Sequence, residues 1–193
     1  GKVLAEAFRP KYEDDKGHLY ARPFHDLMPI PDDLQIEAGF FGNDTDKQRE
    51  MEAKYKANIE KYGYQSWYEW CVANWGTKWD ARVEDYIDHT DHEIEVLFDT
   101  AWSPPIMWVR YVSSIFPELK FRLSFMEPGV GFAGVFYKSK DTEELDEGDI
   151  VFEDGETNRE VYFDNDKMKW AYCDTDEVID DEEFYPNEVN PYI

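Results

Sequence analysis

Three tryptophans fall within ten residues in the segment Trp70-Cys-Val-Ala-Asn-Trp-Gly-Thr-Lys-Trp-Asp-Ala81, and a related motif follows at Phe98-Asp-Thr-Ala-Trp-Ser-Pro-Pro105. Indole rings are large, are buried in most proteins and carry an N–H group that needs a partner. The Gly and Asn among them indicate tight turns. We therefore expect these two segments, here called the tryptophan knot, to be a fixed structure that constrains the fold of the whole chain.

Two helices are predicted ahead of the second half of the knot. Capping boxes are indicated by the spacing of Thr45 with Gln48 and of Ser66 with Glu69, and Gly63 is placed to end the first helix. Within the first helix, apolar residues recur at helical spacing, at Met51, Tyr55, Ile59 and Tyr62. For residues 2–8 the pattern leaves two alternatives open, a strand or a frayed helix.

Strands and one more helix are predicted after the knot begins. The segment 85–92 is acidic and turn-like, and Ile94, Val96 and Phe98 then alternate as in a strand. Ser103 is the expected cap of a helix that runs to Pro117. Alternation returns over 121–125 and 132–138. The predicted fold class is α+β, a sandwich with helices on one face of a mostly antiparallel sheet.

The charge balance limits the kinds of partner. The 193 residues include 44 acidic and 20 basic side chains, a net charge of −24. Nucleic acid is excluded as a default partner, because its binding requires Lys and Arg to neutralise phosphates. Basic partners, cations or solubility alone are consistent with this charge. We expect a soluble, cytoplasmic protein, since no apolar run of about 18 residues and no leader is found.

The negative charge is concentrated near the C-terminus. Residues 141–193 contain 20 acidic and 3 basic side chains and so carry 17 of the 24 net charges. Short apolar islands at 150–152, 161–163 and 168–172 predict strands, and the chain beyond Cys173 is expected to be loosely ordered. We therefore predict a domain over 1–140 followed by an acidic β extension and tail over 141–193, packed on the same domain. Both cysteines, Cys71 and Cys173, are expected to be buried free thiols.

Several motifs together resemble the YubB-like family of plasmid- and phage-borne proteins. They are Met28-Pro-Ile-Pro-Asp-Asp-Leu34, Asn74-Trp-Gly-Thr-Lys-Trp-Asp-Ala81, Phe98-Asp-Thr-Ala-Trp-Ser-Pro-Pro105, Phe116-Pro-Glu-Leu-Lys-Phe121 and Gly131-Phe-Ala-Gly134. The resemblance covers residues 24–137 and implies a ferredoxin-like fold, a mobile-element origin and a bacterial host. No iron–sulfur cluster is expected, since a cluster needs four cysteines. The resemblance carries over no catalytic residues, and the acidic C-terminal region lies outside it.

The knot itself is one candidate site. A small ligand could bind between its aromatic walls and polar groups, at Asn74, Trp75, Thr77, Trp79 and Trp102. The alternative is that these residues lie in the core and lock the loops, with indole N–H groups bonded to nearby carbonyls.

A second candidate is the segment Asp88-His89-Thr90-Asp91-His92. Imidazoles and carboxylates are the ligands of zinc and manganese, which would suit a metal-dependent enzyme. The spacing favours a solvated turn, because His89 and His92 share a face only in a helix. We predict no metal, no cofactor and no enzymatic activity.

The leading hypothesis is that acidic side chains on strands bind and inhibit a basic, nucleic-acid-binding host protein, as a DNA mimic or anti-defence protein would. The alternative for the same side chains is a solvated surface, and the alternative function is a small-ligand-binding protein that uses Trp75, Trp79 and Trp102. The predicted partner-binding residues are Asp141, Glu143, Glu144, Asp146, Glu147, Asp149, Glu153, Asp154, Glu156, Asp174, Asp176, Glu177, Asp180, Asp181, Glu182 and Glu183.

Overall fold

The computed structural model describes residues 1–39, 45–90, 93–127, 131–149, 151–153, 157, 159–164, 169–179 and 187–189. The chain forms two compact units. The first unit is Gly1–Phe121 with Lys138–Asp141, and the second unit is Arg122–Tyr137 with Thr142–Ile193. The division into domains at 1–140 and 141–193 stays a prediction, because the compactness of a unit does not show that it folds alone.

Helices dominate the first unit. They are α1 (Lys2–Ala7), α2 (Pro23–Leu27), α3 (Thr45–Tyr62), α4 (Trp67–Asn74) and α5 (Ile106–Ile115), with a 3₁₀ turn at Asp32–Leu34. Residues 2–8 thus take the helical alternative. No helix among the described residues combines the length and the apolar character that crossing a bilayer requires.

The predicted capping box of α4 and the predicted end of α3 at Gly63 are confirmed. The Ser66 hydroxyl accepts a hydrogen bond from the backbone N–H of Tyr68, and the Glu69 carboxylate accepts one from the backbone N–H of Ser66 at 3.1 Å. Gly63 ends α3 at a φ of +81°, a left-handed conformation that glycine adopts without steric cost. The Thr45 side chain, predicted to cap α3, lies outside the described residues.

Two antiparallel hairpins complete the first unit. The strands β1 (Tyr12–Glu13) and β2 (Leu19–Tyr20) form the shorter one. The longer one pairs β3 (Arg82–Thr90) with β4 (Glu93–Asp99), and Tyr86 lies opposite Val96. The turn-like prediction for 85–92 is therefore wrong as far as residue 90. The backbone of this acidic segment is paired with β4, which supplies the ladder partners that the sequence pattern did not show.

The predicted cap of α5 is also wrong. The N-cap is Pro105, and the helix starts at Ile106. Ser103 does not cap because its hydroxyl donates to the carbonyl oxygen of Gly76, 27 residues earlier. A tertiary hydrogen bond has replaced the local one that the sequence indicated.

The described regular elements of the second unit are strands. They are β5 (Phe121–Glu127), β6 (Phe132–Lys138), β7 (Glu143–Asp149), β8 (Val151–Glu153), β9 (Glu160–Asp164), β10 (Lys169–Tyr172) and β11 (Asn187–Val189). The first residue of β5 and the last residue of β6 belong to the first unit. One sheet has the order β5-β6-β7 and another the order β10-β9-β8-β11. The strands predicted from the apolar islands are confirmed as β8, β9 and β10.

The prediction of loose order beyond Cys173 is wrong for two stretches. The strand β11 pairs with β8, and Asn187 lies opposite Glu153. Residues 174–179 turn back along β10, where the N–H of Ile179 donates to the carbonyl of Trp170 at 2.8 Å. Backbone pairing, which needs few apolar side chains, orders these two stretches.

Aromatic rings form the core of the first unit. Phe24 of α2 is fully buried, with its ring centroid 4.7 Å from that of Trp108 and 5.8 Å from that of Trp75. Cys71 is buried as predicted, and burial raises the pKa of its thiol to about 12. Cys173 is exposed, so the prediction that both free thiols are buried is wrong for this one. It follows β10 in a turn, where the chain leaves the sheet.

Candidate functional site

The two loops of the tryptophan knot are joined by side-chain hydrogen bonds. The Thr77 hydroxyl donates to the carbonyl of Ala101 at 2.8 Å and accepts from its N–H at 3.0 Å. Gly76 has a φ of +85°, and a Cβ there would lie 3.2 Å from the carbonyl oxygen of Pro104. Only glycine suits that backbone and that close approach. The structure thus confirms that the knot is fixed.

Two of the five predicted ligand-binding residues belong to the core. Trp75 is only 2% exposed and its indole N–H donates to the carbonyl of Met28 at 3.1 Å, while Thr77 is equally covered. Asn74 is half-buried and its amide donates back to Trp70. These three residues lock the knot, as the structural alternative proposed.

The other two predicted residues, Trp79 and Trp102, form an open site at the surface. They are 51% and 61% exposed, and their ring centroids are 6.4 Å apart at an interplanar angle of 48°. Tyr68 lies against Trp102 at 6.3 Å. The Nζ atom of Lys78 is 4.7 Å from the Trp102 centroid, 4.8 Å from that of Trp79 and 5.9 Å from that of Tyr68. We call these three rings and the lysine the aromatic notch.

Asp80, next to the notch in the chain, holds the start of α2. One carboxylate oxygen accepts from the backbone N–H of Phe24 at 2.9 Å and from that of Ala81 at 2.9 Å. The other accepts from the N–H of His25 at 3.0 Å. The donors Phe24 and His25 belong to the first turn of α2, which has no side-chain cap of its own. Asp80 therefore replaces the missing local cap from more than 50 residues away.

The stability of the protein is expected to depend on the ionisation of Asp80. Burial raises its pKa from 3.8 to about 6, although the three N–H donors act in the opposite direction. The folded chain thus keeps this proton at a pH where the unfolded chain has lost it. The resulting stabilisation is fully present below about pH 4 and is lost as the pH rises through about 6, a change of roughly 3 kcal/mol.

Urea unfolding of the wild type and of Asp80→Asn between about pH 4 and pH 7 measures this effect. Other carboxylates titrate in both proteins, so the difference between the two curves isolates Asp80. Parallel curves would show that Asp80 has an ordinary pKa.

The most acidic described element is β7, which we call the acidic strand. The side chains of Glu143, Glu144, Asp146 and Glu147 are all exposed, on both faces of the strand. The strand lies at one end of the order β5-β6-β7. Gly134 lies on the neighbouring strand β6, and a Cβ there would be 2.6 Å from the carbonyl oxygen of Asp146. Close backbone packing therefore fixes the position of the carboxylates.

Residues 74–167, slightly less than half of the chain, match the family model of the ferredoxin-like domain in Api92-like protein. The chain contains a ferredoxin-like domain. No curated protein and no solved structure was found to match. The α+β class and the ferredoxin-like part of the predicted resemblance are confirmed.

The extent of the ferredoxin-like domain differs from the resemblance drawn from motifs. The acidic strand, β8 and β9 lie inside the matched residues, whereas the resemblance drawn from the motifs covered only residues 24–137. The notch residues Lys78, Trp79 and Trp102 also lie inside the match, and Tyr68 precedes it. Both candidate surfaces thus involve the ferredoxin-like domain, even though the two belong to different compact units.

The histidine segment supplies no described metal site. His89 lies on β3 with its side chain outside the described part, and His92 is not described. Within the residues that the structure describes, no group of three or more His, Cys, Asp or Glu could hold a metal ion.

The predicted partner-binding residues fall into three groups. The exposed ones are Asp141, Glu143, Glu144, Asp146, Glu147, Asp174, Asp176 and Glu177. Asp149 and Glu153 lie on strands, without described side chains. The remainder, Asp154, Glu156, Asp180, Asp181, Glu182 and Glu183, lie outside the described residues. Asp174 is paired with Arg159, which lowers the pKa of its carboxyl and leaves it less available to a partner.

Sequence reasoning missed Asp80, Lys78 and Tyr68 as residues of interest. The position of Lys78 directly before Trp79 was a usable signal for that one contact, whereas its contacts with Trp102 and Tyr68 depend on tertiary packing. Asp80 gave no such signal, since its partners in α2 lie more than 50 residues away.

Proposed function

We propose that the protein is an interaction protein whose acidic strand binds a basic, nucleic-acid-binding protein of a bacterial host and inhibits it. The observation that carries the proposal is the regular, exposed array of carboxylates on β7. Charges held on a paired strand lose less conformational entropy on binding than charges on a flexible tail. Such a surface suits a groove that ordinarily binds nucleic acid.

The charge spacing supports mimicry of a nucleic-acid strand. The seven residues of β7 include five carboxylates, Glu143, Glu144, Asp146, Glu147 and Asp149. At about 3.3 Å per residue they give roughly one negative charge per 4–5 Å along the strand, and neighbouring charges on the same face lie about 7 Å or more apart because successive side chains alternate between faces. The phosphates of one DNA strand follow each other at about 3.4 Å along the axis. A protein groove that binds the phosphates of DNA would therefore also attract the carboxylates of the acidic strand.

The resemblance to YubB-like proteins supports the rest of the proposal. A plasmid or phage origin would make the natural target a host defence nuclease or another protein that handles nucleic acid, in the host cytoplasm. On this proposal the protein acts by occupying a groove, so it needs neither catalysis nor a cofactor.

Neutralising the acidic strand tests the proposal. In the variant, Glu143, Glu144 and Glu147 become Gln and Asp146 becomes Asn, which removes four charges and preserves side-chain shape. The control neutralises four exposed carboxylates elsewhere, at Glu13, Asp15, Glu60 and Glu118. The wild type and the control should recover the same nucleic-acid-binding protein from bacterial lysate, and the strand variant should recover at least about tenfold less.

The bound protein should be released between about 0.1 and 0.5 M salt, because the Debye length shrinks over that range. It should also be released by added double-stranded DNA, which competes for the same groove. Equal recovery by the strand variant and the control, recovery that ignores salt and DNA, or no recovered partner would each contradict the proposal.

A further inference from the structure

The aromatic notch surrounds a positive charge with three rings. The Lys78 ammonium lies within 6 Å of the ring centroids of Tyr68, Trp79 and Trp102. The faces of these rings carry partial negative charge and attract a cation. Trp79 and Trp102 are each more than half exposed. The notch is therefore a cation site that is open to solvent and is filled by a side chain of the protein itself.

The backbone of Trp102 has a conformation that is unfavourable for tryptophan, so contacts elsewhere in the notch region must maintain it. Trp102 has a φ of +70°, a left-handed conformation that is unfavourable for a bulky residue. Its two neighbours impose this conformation, because Ala101 is bonded to Thr77 and Ser103 to Gly76. The result is a strained residue whose indole points to solvent instead of filling the core. Strain of this kind concentrates at ligand-binding sites.

We propose that the aromatic notch binds a methylated ammonium group, which displaces the Lys78 ammonium from between the rings. An ordinary lysine from outside is a poor competitor, because Lys78 is tethered beside the notch at a high effective concentration. A quaternary ammonium loses little hydration on entering and brings methyl groups that contact the rings, whereas a primary ammonium is strongly hydrated. The net charge of −24 attracts any cation to the protein.

This site is independent of the proposed function. Its four residues lie in the first unit, and the acidic strand lies in the second unit. Loss of one activity would therefore leave the other to be measured.

Calorimetric titration with choline tests the proposal on the full chain. Removing the resident cation with Lys78→Ala should tighten choline binding about tenfold over the wild type, given the strength of cation–π contacts. Adding Trp102→Gly to that variant should weaken binding at least tenfold. The uncharged analogue 3,3-dimethyl-1-butanol, which has the same shape, should bind Lys78→Ala at least tenfold more weakly than choline.

The variants contain their own controls. Glycine adopts the left-handed backbone at position 102 without strain, which offsets the freedom that it adds to the unfolded chain, so adding Trp102→Gly should leave the thermal midpoint close to that of Lys78→Ala. Equal midpoints would show that the loss of binding is not caused by unfolding. Lys78→Ala and the double variant have the same net charge, so non-specific attraction of cations is equal in both. Equal choline binding by these two variants, or equal binding of the uncharged analogue, would overturn the proposal.

The source of the ligand can be read from a second pair of probes. Tighter binding of a trimethyllysine peptide than of choline would support a modified protein side chain as the ligand, and the reverse order would support a free quaternary ammonium compound. An unmodified lysine peptide that binds as tightly as the trimethylated one would count against the proposal.

Discussion

Replacing Asp80 with alanine is expected to lower the free energy of unfolding by about 3–5 kcal/mol at neutral pH. The change leaves the backbone N–H groups of Phe24 and His25 without the acceptor that the structure gives them. An unsatisfied buried donor costs about 1–3 kcal/mol, and three N–H groups, those of Phe24, His25 and Ala81, lose their acceptor, which outweighs the relief of the carboxylate's desolvation cost. Urea unfolding followed by tryptophan fluorescence measures the loss.

The effect should spread beyond α2 itself. Phe24, on that helix, is fully buried against Trp75 and Trp108, so a loosened helix removes a ring from the centre of the core. Near-ultraviolet circular dichroism should therefore weaken along with stability, because the rings lose their fixed packing.

Asp99→Ala provides a matched control. The Asp99 carboxylate also makes a charged contact, 2.6 Å from Arg82, but its side chain is 62% exposed. Exposed ion pairs contribute about 0–1 kcal/mol, so this variant should be nearly as stable as the wild type. Equal losses from the two alanine substitutions would refute the role of Asp80 as the remote cap of α2.

Replacing Gly134 with alanine is expected to displace the acidic strand and to cost about 2–3 kcal/mol. The new Cβ would lie 2.6 Å from both the carbonyl oxygen of Asp146 and the Phe125 ring, and 2.9 Å from Glu147 Cβ. The phenyl ring can turn aside, but the backbone oxygen cannot move without breaking the pairing of β6 and β7. Hydrogen exchange should show faster exchange of the β7 amides.

Gly131→Ala is the control for this variant. Gly131 has a φ of +85°, and nothing lies within 4 Å of a Cβ built there. Its substitution therefore costs about 1 kcal/mol through backbone strain alone, with β7 still protected. Unchanged exchange of β7 in Gly134→Ala would show that the two strands have room for a methyl group.

Signals that depend on a few neighbouring residues were predictable from the sequence. The capping box of Ser66 and Glu69, the end of α3 at Gly63 and the alternation in β4 all appear in the structure. Each depends on contacts within about four residues or on a period that the strand shows directly. The fold class followed from such elements taken together.

Features that depend on distant partners could not be predicted. The acidic strand has no apolar face from which a strand could be predicted. It forms because its backbone is hydrogen-bonded to β6. The acidic half of β3 was read as a turn for the same reason. Within the knot, residue type could not separate the buried Trp75 from the exposed Trp79, because burial is decided by tertiary packing.

Because Cys71 is buried, the rate at which a thiol reagent modifies it measures how often the core opens. Its thiol is inaccessible and holds its proton to a high pH, so a thiol reagent can reach it only when α4 opens away from the core. Cys173, exposed in the second unit, marks the rate of reaction at an accessible site in the same molecule. The ratio of the two labelling rates therefore reports how often the aromatic core opens, without any engineered probe.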